Sequence, residues 1–385
     1  MSYKILQGDN RDTLKTLADN SIDAIVTDPP YGIDFLGKSW DANTGALETY
    51  QECLRVLKPG GHILAFSAAR TYHHLAVTLE QAGFEIRDQI MWIYSSGFPK
   101  SQDVGKSIQR SLGVKETKAS KGMNAYAEVK DKKGKEKWMN PGNITTDDYP
   151  EKKDTVVCSD PEAKQWQGWG TALKPAHEPI ALARKPIKGS IAQNCQKYGV
   201  GALNIDATRV PYDTNDLYKP GQVMPYAKKV ILEQANSEVI GKDAHEENTG
   251  WVAPELGRFP SNVLGEILQA DYQKYFYCPK VSRRERHIGF DDIEKQGNNH
   301  PTVKPIELMK YLIKLITPPG GTVLDPFNGS GSTGCAAVEL GYDYIGCELD
   351  PAYIDISLKR IAAWLTKDEP EVSAVFKDLF DDVQS

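Results

Sequence analysis

Thr27-Asp28-Pro29-Pro30-Tyr31-Gly32 closes an apolar run, Ile22-Asp23-Ala24-Ile25-Val26, and this junction decides how the chain reads. Such a short, nearly continuous apolar run has the pattern of a strand buried in a parallel sheet. Two prolines directly after it cannot continue a hydrogen-bonded ladder, so the chain leaves the sheet there in a fixed, extended turn. The turn presents one carboxylate, one proline carbonyl and one aromatic ring. That set suits a planar ring bearing an amine: the carboxylate and carbonyl accept the two amine hydrogens while Tyr31 stacks on the face. A plain strand-ending turn uses the same residue types, so the rest of the chain has to decide between the two.

Outward from this junction, strands and helices alternate. Tyr3–Gln7 reads as a strand ending in Gly8-Asp9, and residues 12–18 as a short helix. Ile22–Thr27 is the next strand, and residues 47–57 form a helix stopped by Lys58-Pro59-Gly60-Gly61. Residues 62–67 read as a strand, 72–81 as a helix closed by Gly83, and 84–94 as a long strand. Alternation at this spacing predicts βαβ units on a mostly parallel sheet. A proline-bracketed strand over residues 180–183 is expected antiparallel to residues 90–94, with everything between them hanging from the hairpin tip. Order returns at His300. Pro305 opens a helix over Ile306–Ile316, Thr322–Asp325 is a strand, and residues 332–340 a helix. Residues 344–348 form another strand and 352–365 another helix.

The regions between are different in kind. Residues 100–170 are rich in Lys, Asp and Gly, and loops with little core are expected there. From Lys100 to Lys137 there are eleven Lys or Arg against five Asp or Glu, although the whole chain carries a net charge of −6. A second basic cluster is Lys280-Val-Ser-Arg283-Arg284-Glu-Arg286-His287, and the residues after 366 are acidic. Residues 187–299 scatter aromatics, among them Tyr198, Tyr212, Trp251, Phe259 and Tyr275, through polar sequence, as a binding lobe does. Charge runs are usually solvated faces and aromatics usually core, so both patterns are supporting observations only.

Composition excludes several classes. At 385 residues, 40% hydrophobic and 25% charged, the sequence is that of a soluble globular protein, more naturally two lobes than one. No apolar run approaches a membrane span and the N-terminus has no signal-peptide layout, so a cytoplasmic location is expected. The six cysteines include no Cys-x-x-Cys pair, which argues against a zinc site or a disulfide framework; no metal is expected.

The second motif is Asp325-Pro326-Phe327-Asn328-Gly329-Ser330-Gly331-Ser332-Thr333-Gly334, which follows a strand and opens a helix. Glycines at 329 and 331 let a cofactor lie against the backbone. Glu348 ends the following strand, near the spacing at which an acid takes ribose hydroxyls. Taken literally, Gly329–Gly334 also matches the dinucleotide fingerprint G-x-G-x-x-G, which makes a nicotinamide oxidoreductase a competitor. Against it, the glycines come four residues after the strand's acid, and a dehydrogenase has no use for Asp28-Pro-Pro-Tyr31.

With both motifs in hand, the chain resembles the β class of S-adenosylmethionine (SAM)-dependent amino-group DNA methyltransferases, in which the catalytic tetrapeptide precedes the SAM loop. The resemblance covers residues 1–98, 174–186 and 300–364. It implies a Rossmann-like fold with a mostly parallel seven-stranded sheet flanked by helices, circularly permuted in motif order, and an irregular DNA-recognition lobe. It assigns catalysis to Asp28, Pro29, Pro30 and Tyr31. Cofactor binding is assigned to Asp9, Thr302, Lys304, Asp325, Phe327, Gly329, Gly331 and Glu348. Within these, His300-Pro301-Thr302-Val303-Lys304-Pro305 resembles the segment that holds the methionine end of SAM, and Gly8-Asp9 the turn whose acid meets its adenine. Trp92 and His177-Glu178-Pro179 resemble the hairpin flanking the target base. Asp9 equally suits a helix cap, and Phe327 equally suits the core.

The implied layout places the catalytic half at 1–99, a DNA-contacting basic insertion at 100–170 and a returning strand at 171–186. A target-recognition region follows at 187–299, then the SAM-binding half at 300–365 and an acidic tail at 366–385. The Asp form of the tetrapeptide is the one common in N6-adenine enzymes, so the expected reaction is methylation of the N6 amine of a flipped-out adenine in double-stranded DNA. A cytosine-N4 methyltransferase is the alternative, and a SAM-binding DNA-binding protein without turnover is the second. A homodimer and a cognate restriction endonuclease, as in restriction-modification pairs, are the expected protein partners.

Overall fold

The structure, a computed structural model, describes residues 1–33, 43–94, 101–114, 158–212, 255–265, 283–290, 297–300 and 302–366, together with the backbone of four two-residue strands at 129–130, 136–137, 223–224 and 251–252. Most of the basic run at 100–137, the acidic tail and the aromatics Tyr218, Tyr226, Tyr272, Tyr275, Phe276 and Tyr277 lie outside the described residues. The chain divides into one unit of residues 1–95 and 177–385 and a second of residues 96–176. The excursion thus begins slightly before residue 100 and closes only at the start of the returning strand.

The first unit is built on one sheet whose strands, in chain order, are β1 (Tyr3–Gln7), β2 (Ile22–Thr27), β3 (Leu57–Phe66), β4 (Glu85–Ile93), β5 (His177–Arg184), β6 (Val263–Gly265), β7 (Thr322–Asp325) and β8 (Asp343–Glu348). Their spatial order is β1-β8-β7-β2-β3-β5-β4-β6. Every neighbouring pair is parallel except those made by β5, which runs antiparallel to both β3 and β4. The expected antiparallel return is therefore present, and Ile180 faces Phe66 on one side and Ile90 on the other.

The expected seven strands are eight. Val263–Gly265 pairs parallel with Met91–Ile93 at the edge beyond β4. Three residues are too few to show strand alternation, which is why this element is invisible in the sequence. It is seated by the Met91 N–H, which donates to Asn262 O at 2.8 Å. Gly265 (φ +146°) allows the close approach, since a Cβ there would lie 2.2 Å from Ile93 O.

Alternation along each strand sorts side chains onto two faces. The helices between residues 100 and 300 are α4 (Val104–Ser111), α5 (Pro161–Gln165), α6 (Ile191–Tyr198) and α7 (Arg283–His287) among the described residues. Ala24 and Val26, Leu64 and Phe66, Ile180 and Leu182, and Val323 pack against α8 (Ile306–Ile316) and α9 (Ser332–Glu339), with Ile361 and Trp364 from α10 (Pro351–Leu365). Ile25, Ile63, Ala65, Ala181, Ala183 and Leu324 pack against α2 (Leu47–Val56) and α3 (Tyr72–Ala82), with Leu14 and Leu17 from the turns after α1 (Asn10–Thr13). The apolar spacing of α8 gives it eight buried side chains, and Pro305 stands one residue before its first turn as the N-cap. The segment Lys58-Pro59-Gly60-Gly61, expected only to stop α2, lies within β3, with a register shift against β2 between Ile22 and Ala24.

After β2 the chain passes to β3 on one side, with α2 on one face. After β7 it passes to β8 on the other side, with α9 on the opposite face. The sheet's topological switch point therefore lies between β2 and β7, where a crevice forms outside the carboxyl ends of the strands.

A buried carboxylate helps to set that adjacency. Asp23, within β2, accepts the Thr322 N–H at 2.8 Å and the Lys58 ammonium at 2.6 Å. Replacing it with alanine leaves a buried N–H and a half-buried ammonium without their acceptor. Asp23→Ala is expected to cost about 2–4 kcal/mol of stability, read as a lowered thermal midpoint with a native-like circular dichroism spectrum at 20 °C, a temperature chosen as roughly that of maximum stability.

Candidate active site

The carboxyl ends of β2 and β7 are joined directly. Thr27 Oγ1 donates to Asp325 Oδ1 at 2.7 Å across 298 residues of sequence. Asp325 also accepts from Thr333 Oγ1 at 2.7 Å and from the Phe327 N–H at 3.0 Å. One carboxylate thus fastens the turn after β2, its own loop and the first turn of α9. Full burial raises the pKa of Asp325 to about 6, although all three hydrogen bonds act to lower it.

Beyond this link stand the tetrapeptide's side chains. Tyr31 O–H lies 2.8 Å from Asp28 Oδ1 and 2.9 Å from Glu178 Oε2. Lys304 Nζ donates to Asp28 Oδ2 at 2.6 Å and to Tyr31 Oη at 3.1 Å, and lies 3.5 Å from Glu178 Oε2. The ammonium is buried, 4.9 Å from the centre of the Phe66 ring and 5.4 Å from that of Tyr31. Burial alone would lower the pKa of Lys304, but the carboxylates of Asp28 and Glu178 outweigh it and the net shift is upward. Trp92 stands edge-on to Phe66 at 6.4 Å and tilted against Tyr94 at 5.1 Å. Burial, and then the carboxylate of Glu178, raise the pKa of the Tyr94 phenol.

The glycine loop is braced from three directions. Glu348, at the end of β8, accepts the Gly329 N–H at 2.8 Å and the Asp350 N–H at 2.9 Å; burial still leaves its pKa raised. Arg360 of α10, fully buried, donates to Ser330 O at 2.6 Å and Ser330 Oγ at 3.0 Å. His300 stands over Gly329, where a Cβ would come 2.9 Å from its Nε2, and its Nδ1 lies 2.9 Å from Thr302 O. Burial pulls the His300 pKa down to about 4, so the ring is neutral near pH 7. At Gly331 (φ +77°) a Cβ would meet Ser357 Cβ at 2.8 Å. Both glycines are thus required by close contacts of the chain with itself, a tighter reason than the cofactor clearance expected from the sequence.

The remaining expected residues divide. Phe327 is half-buried, packs on the α2–α3 face and sits 6.4 Å from the Tyr50 ring. Asp9 caps α1 through the Arg11 N–H at 2.9 Å and pairs with the Arg11 guanidinium at 2.6 Å; the Arg11 hydrogen bond holds its pKa low. Thr302 is exposed, and Lys304 reaches the tetrapeptide. Pro301 lies outside the described residues. In His177-Glu178-Pro179, at the start of β5, the residue bonded to the Tyr31 hydroxyl is Glu178. Strand parity gives the signal: 178, 180 and 182 share a face, and Ile180 and Leu182 pack with Phe66.

The family model for N6/N4-type DNA methylases matches residues 22–359. The chain belongs to the DNA methylase family. Over 403 aligned residues the methylase is 23% identical to the type II methyltransferase M.HindIII of Haemophilus influenzae, covering 93% of this chain and 94% of that one. It is 46% identical over 63 residues to the DNA adenine methyltransferase YhdJ of Escherichia coli, a match covering 16% of this chain and 21% of that one. The solved structure of the M1.HpyAVI–SAM complex aligns over 93% of this chain and 99% of its own, at 18% identity and a TM-score of 0.41. No helix among the described residues is long and apolar enough to cross a membrane.

Two expectations follow for the methylase. Because the folded-state pKa of Asp325 lies above the ordinary 3.8, the folded protein holds this proton more tightly than the unfolded chain. The group's contribution to stability is therefore full below pH 3.8 and is lost as pH rises through about 6. Asp325→Asn keeps a neutral group there, so the stability of wild type relative to this variant should fall across that window, measured by thermal denaturation of both proteins at matched pH. Gly331→Val forces a β-branched residue to positive φ against Ser357 and should abolish SAM binding; unaltered affinity by calorimetry would refute the loop's role.

Proposed function

We propose that the methylase transfers a methyl group from SAM to the N6 amine of an adenine flipped out of double-stranded DNA. The observation that carries this reading is the placement of Asp28-Pro29-Pro30-Tyr31 beside the Asp325–Gly331 loop at the switch point of the sheet. Asp as the first residue of the tetrapeptide supports adenine over cytosine, and so does the likeness to an adenine methyltransferase.

The residues present fit a nucleoside-bearing sulfonium cofactor. The crevice offers an acid at the end of β8, a glycine loop braced from behind, an aromatic wall at Phe327, and Asp9 at the end of β1. Asp325 would hold the loop in shape, with Gly329, Gly331 and Thr302 lining it. When bound, SAM supplies a methyl group on a positively charged sulfur, open to displacement by a nitrogen lone pair. Lys304 reaches the tetrapeptide, and in this reading it acts on the amine side of the site.

The chain's own part is to make a poor nucleophile attack. The exocyclic amine of adenine has its lone pair delocalised into the ring. Asp28 and the Pro29 carbonyl each accept one amine hydrogen, favouring a pyramidal nitrogen whose lone pair points away from them. Tyr31 stacks on the base and, with Phe66 and Trp92, keeps water from the reacting nitrogen. Pro30 fixes the turn. Asp28 takes the nitrogen's surplus proton as that nitrogen gains the methyl group, which SAM would give up with the S–C electron pair kept on sulfur. Positioning supplies much of the acceleration.

Digestion of DNA treated with the protein and SAM to nucleosides tests the reading: N6-methyldeoxyadenosine supports it, and N4-methyldeoxycytidine in its place overturns the base assignment. In the same assay Asp28→Ala should lose roughly two or more orders of magnitude in turnover while still binding SAM; near-normal methylation by this variant would remove Asp28 from the mechanism.

A further inference from the structure

Both oxygens of the Asp28 carboxylate are engaged: Oδ1 lies 2.8 Å from Tyr31 Oη and Oδ2 accepts from Lys304 at 2.6 Å. An amine arriving with two hydrogens to donate would meet, beside its intended acceptor, an ammonium that is itself a donor and carries a positive charge. That charge opposes the positive charge which develops on the attacking nitrogen. Lys304 cannot withdraw to water, because it is buried. What stands within reach is a second carboxylate. Glu178 Oε2 is 2.9 Å from the same Tyr31 hydroxyl and 3.5 Å from the same ammonium. A phenol has one proton, and here that proton lies between two carboxylates at nearly equal distances.

We infer that Glu178 is a positioning residue of the transfer site: the Lys304 ammonium and the Tyr31 hydroxyl pass to it from Asp28 when the substrate amine donates to the Asp28 carboxylate. The exchange needs no large motion, since both donors already touch or nearly touch their second acceptor. It keeps two carboxylates and one ammonium in the pocket throughout, so no buried charge loses its partner. Tyr94, one residue after β4, is close enough to the receiving carboxylate for its charge to raise the pKa of the phenol. The placement of Glu178 follows from β5 running antiparallel between β3 and β4, which brings the start of that strand to the same edge as the ends of its neighbours.

This inference rests on the proposed amine methylation, and its test separates the two. Glu178→Gln keeps the shape but removes the charge that would receive Lys304. Its kcat should fall roughly 10- to 100-fold, with SAM affinity by calorimetry, KM for DNA and thermal midpoint all unchanged, and Glu178→Asp should restore most of the loss. Wild-type turnover in Glu178→Gln overturns the inference while leaving the proposed reaction intact. So does a loss of kcat accompanied by equal losses of SAM affinity and thermal midpoint and unrelieved by Glu178→Asp, since that describes a merely structural residue. Wild-type protein assayed alongside reads the parent proposal. N4-methylcytosine from it changes the base but leaves the comparison valid, because both amines present two hydrogens; no methylated base at all removes both.

Discussion

Everything at the site depends on one hydrogen bond between the tips of two neighbouring parallel strands. Thr27 and Asp325 end β2 and β7, and the bond from the threonine hydroxyl to the buried carboxylate fixes the tetrapeptide turn against the glycine loop. A direct side-chain tie of this kind holds two loops in register where the backbone ladder has already run out. Asp325 has a second task in the same place, because it also holds the first turn of α9 through Thr333. The tetrapeptide turn and the glycine loop are therefore not independently mobile halves: a shift of either must move a carboxylate that is satisfied by both. The raised pKa of Asp325 is the electrostatic counterpart of this arrangement, a charge kept in a dry place for the sake of its three acceptor contacts.

The regular elements were legible because their signals are local. Ile22–Thr27, Tyr3–Gln7, Thr322–Asp325 and Ile306–Ile316 have the ends that their apolar patterns and breakers dictate. The antiparallel strand β5 was also legible, since prolines at 179 and 186 bracket an apolar run. The extra strand β6 was not. It has three residues and owes its place to Asn262 and a glycine at its end, tertiary facts with no periodicity. The start of β3 was misread for a related reason: proline and glycine advertise a stop, and here they are themselves part of the next strand.

At the site, the residue types and their motif spacing were readable, but several of their partners were not. Lys304 was placed with the cofactor because it sits in the segment leading to the glycine loop; its bond to a carboxylate 276 residues away was not readable. Glu178 was read only as part of the stretch flanking the target base, although its parity with Ile180 and Leu182 places it on the same face as Phe66. Arg360 carries no motif at all, and only burial against Ser330 reveals that it braces the loop. Long-range polar contacts of this kind leave no periodic trace, because each is a single event between distant positions.

The order of strands has a consequence for how the protein comes into being. Among the described residues β1 is joined to the sheet by β8 alone, and β2 meets β7 on its inner side, so two strands early in the sequence pair with strands that come late in it. Until residue 348 has emerged, the earliest strand has no ladder to enter, and the apolar side chains of β2 that α8 and α9 will cover are open to solvent. Synthesis and assembly are thereby kept apart in time: a ribosome-bound chain already bearing Asp28-Pro29-Pro30-Tyr31 has no Asp325 beside that turn, and acquires one only when β7 pairs with β2.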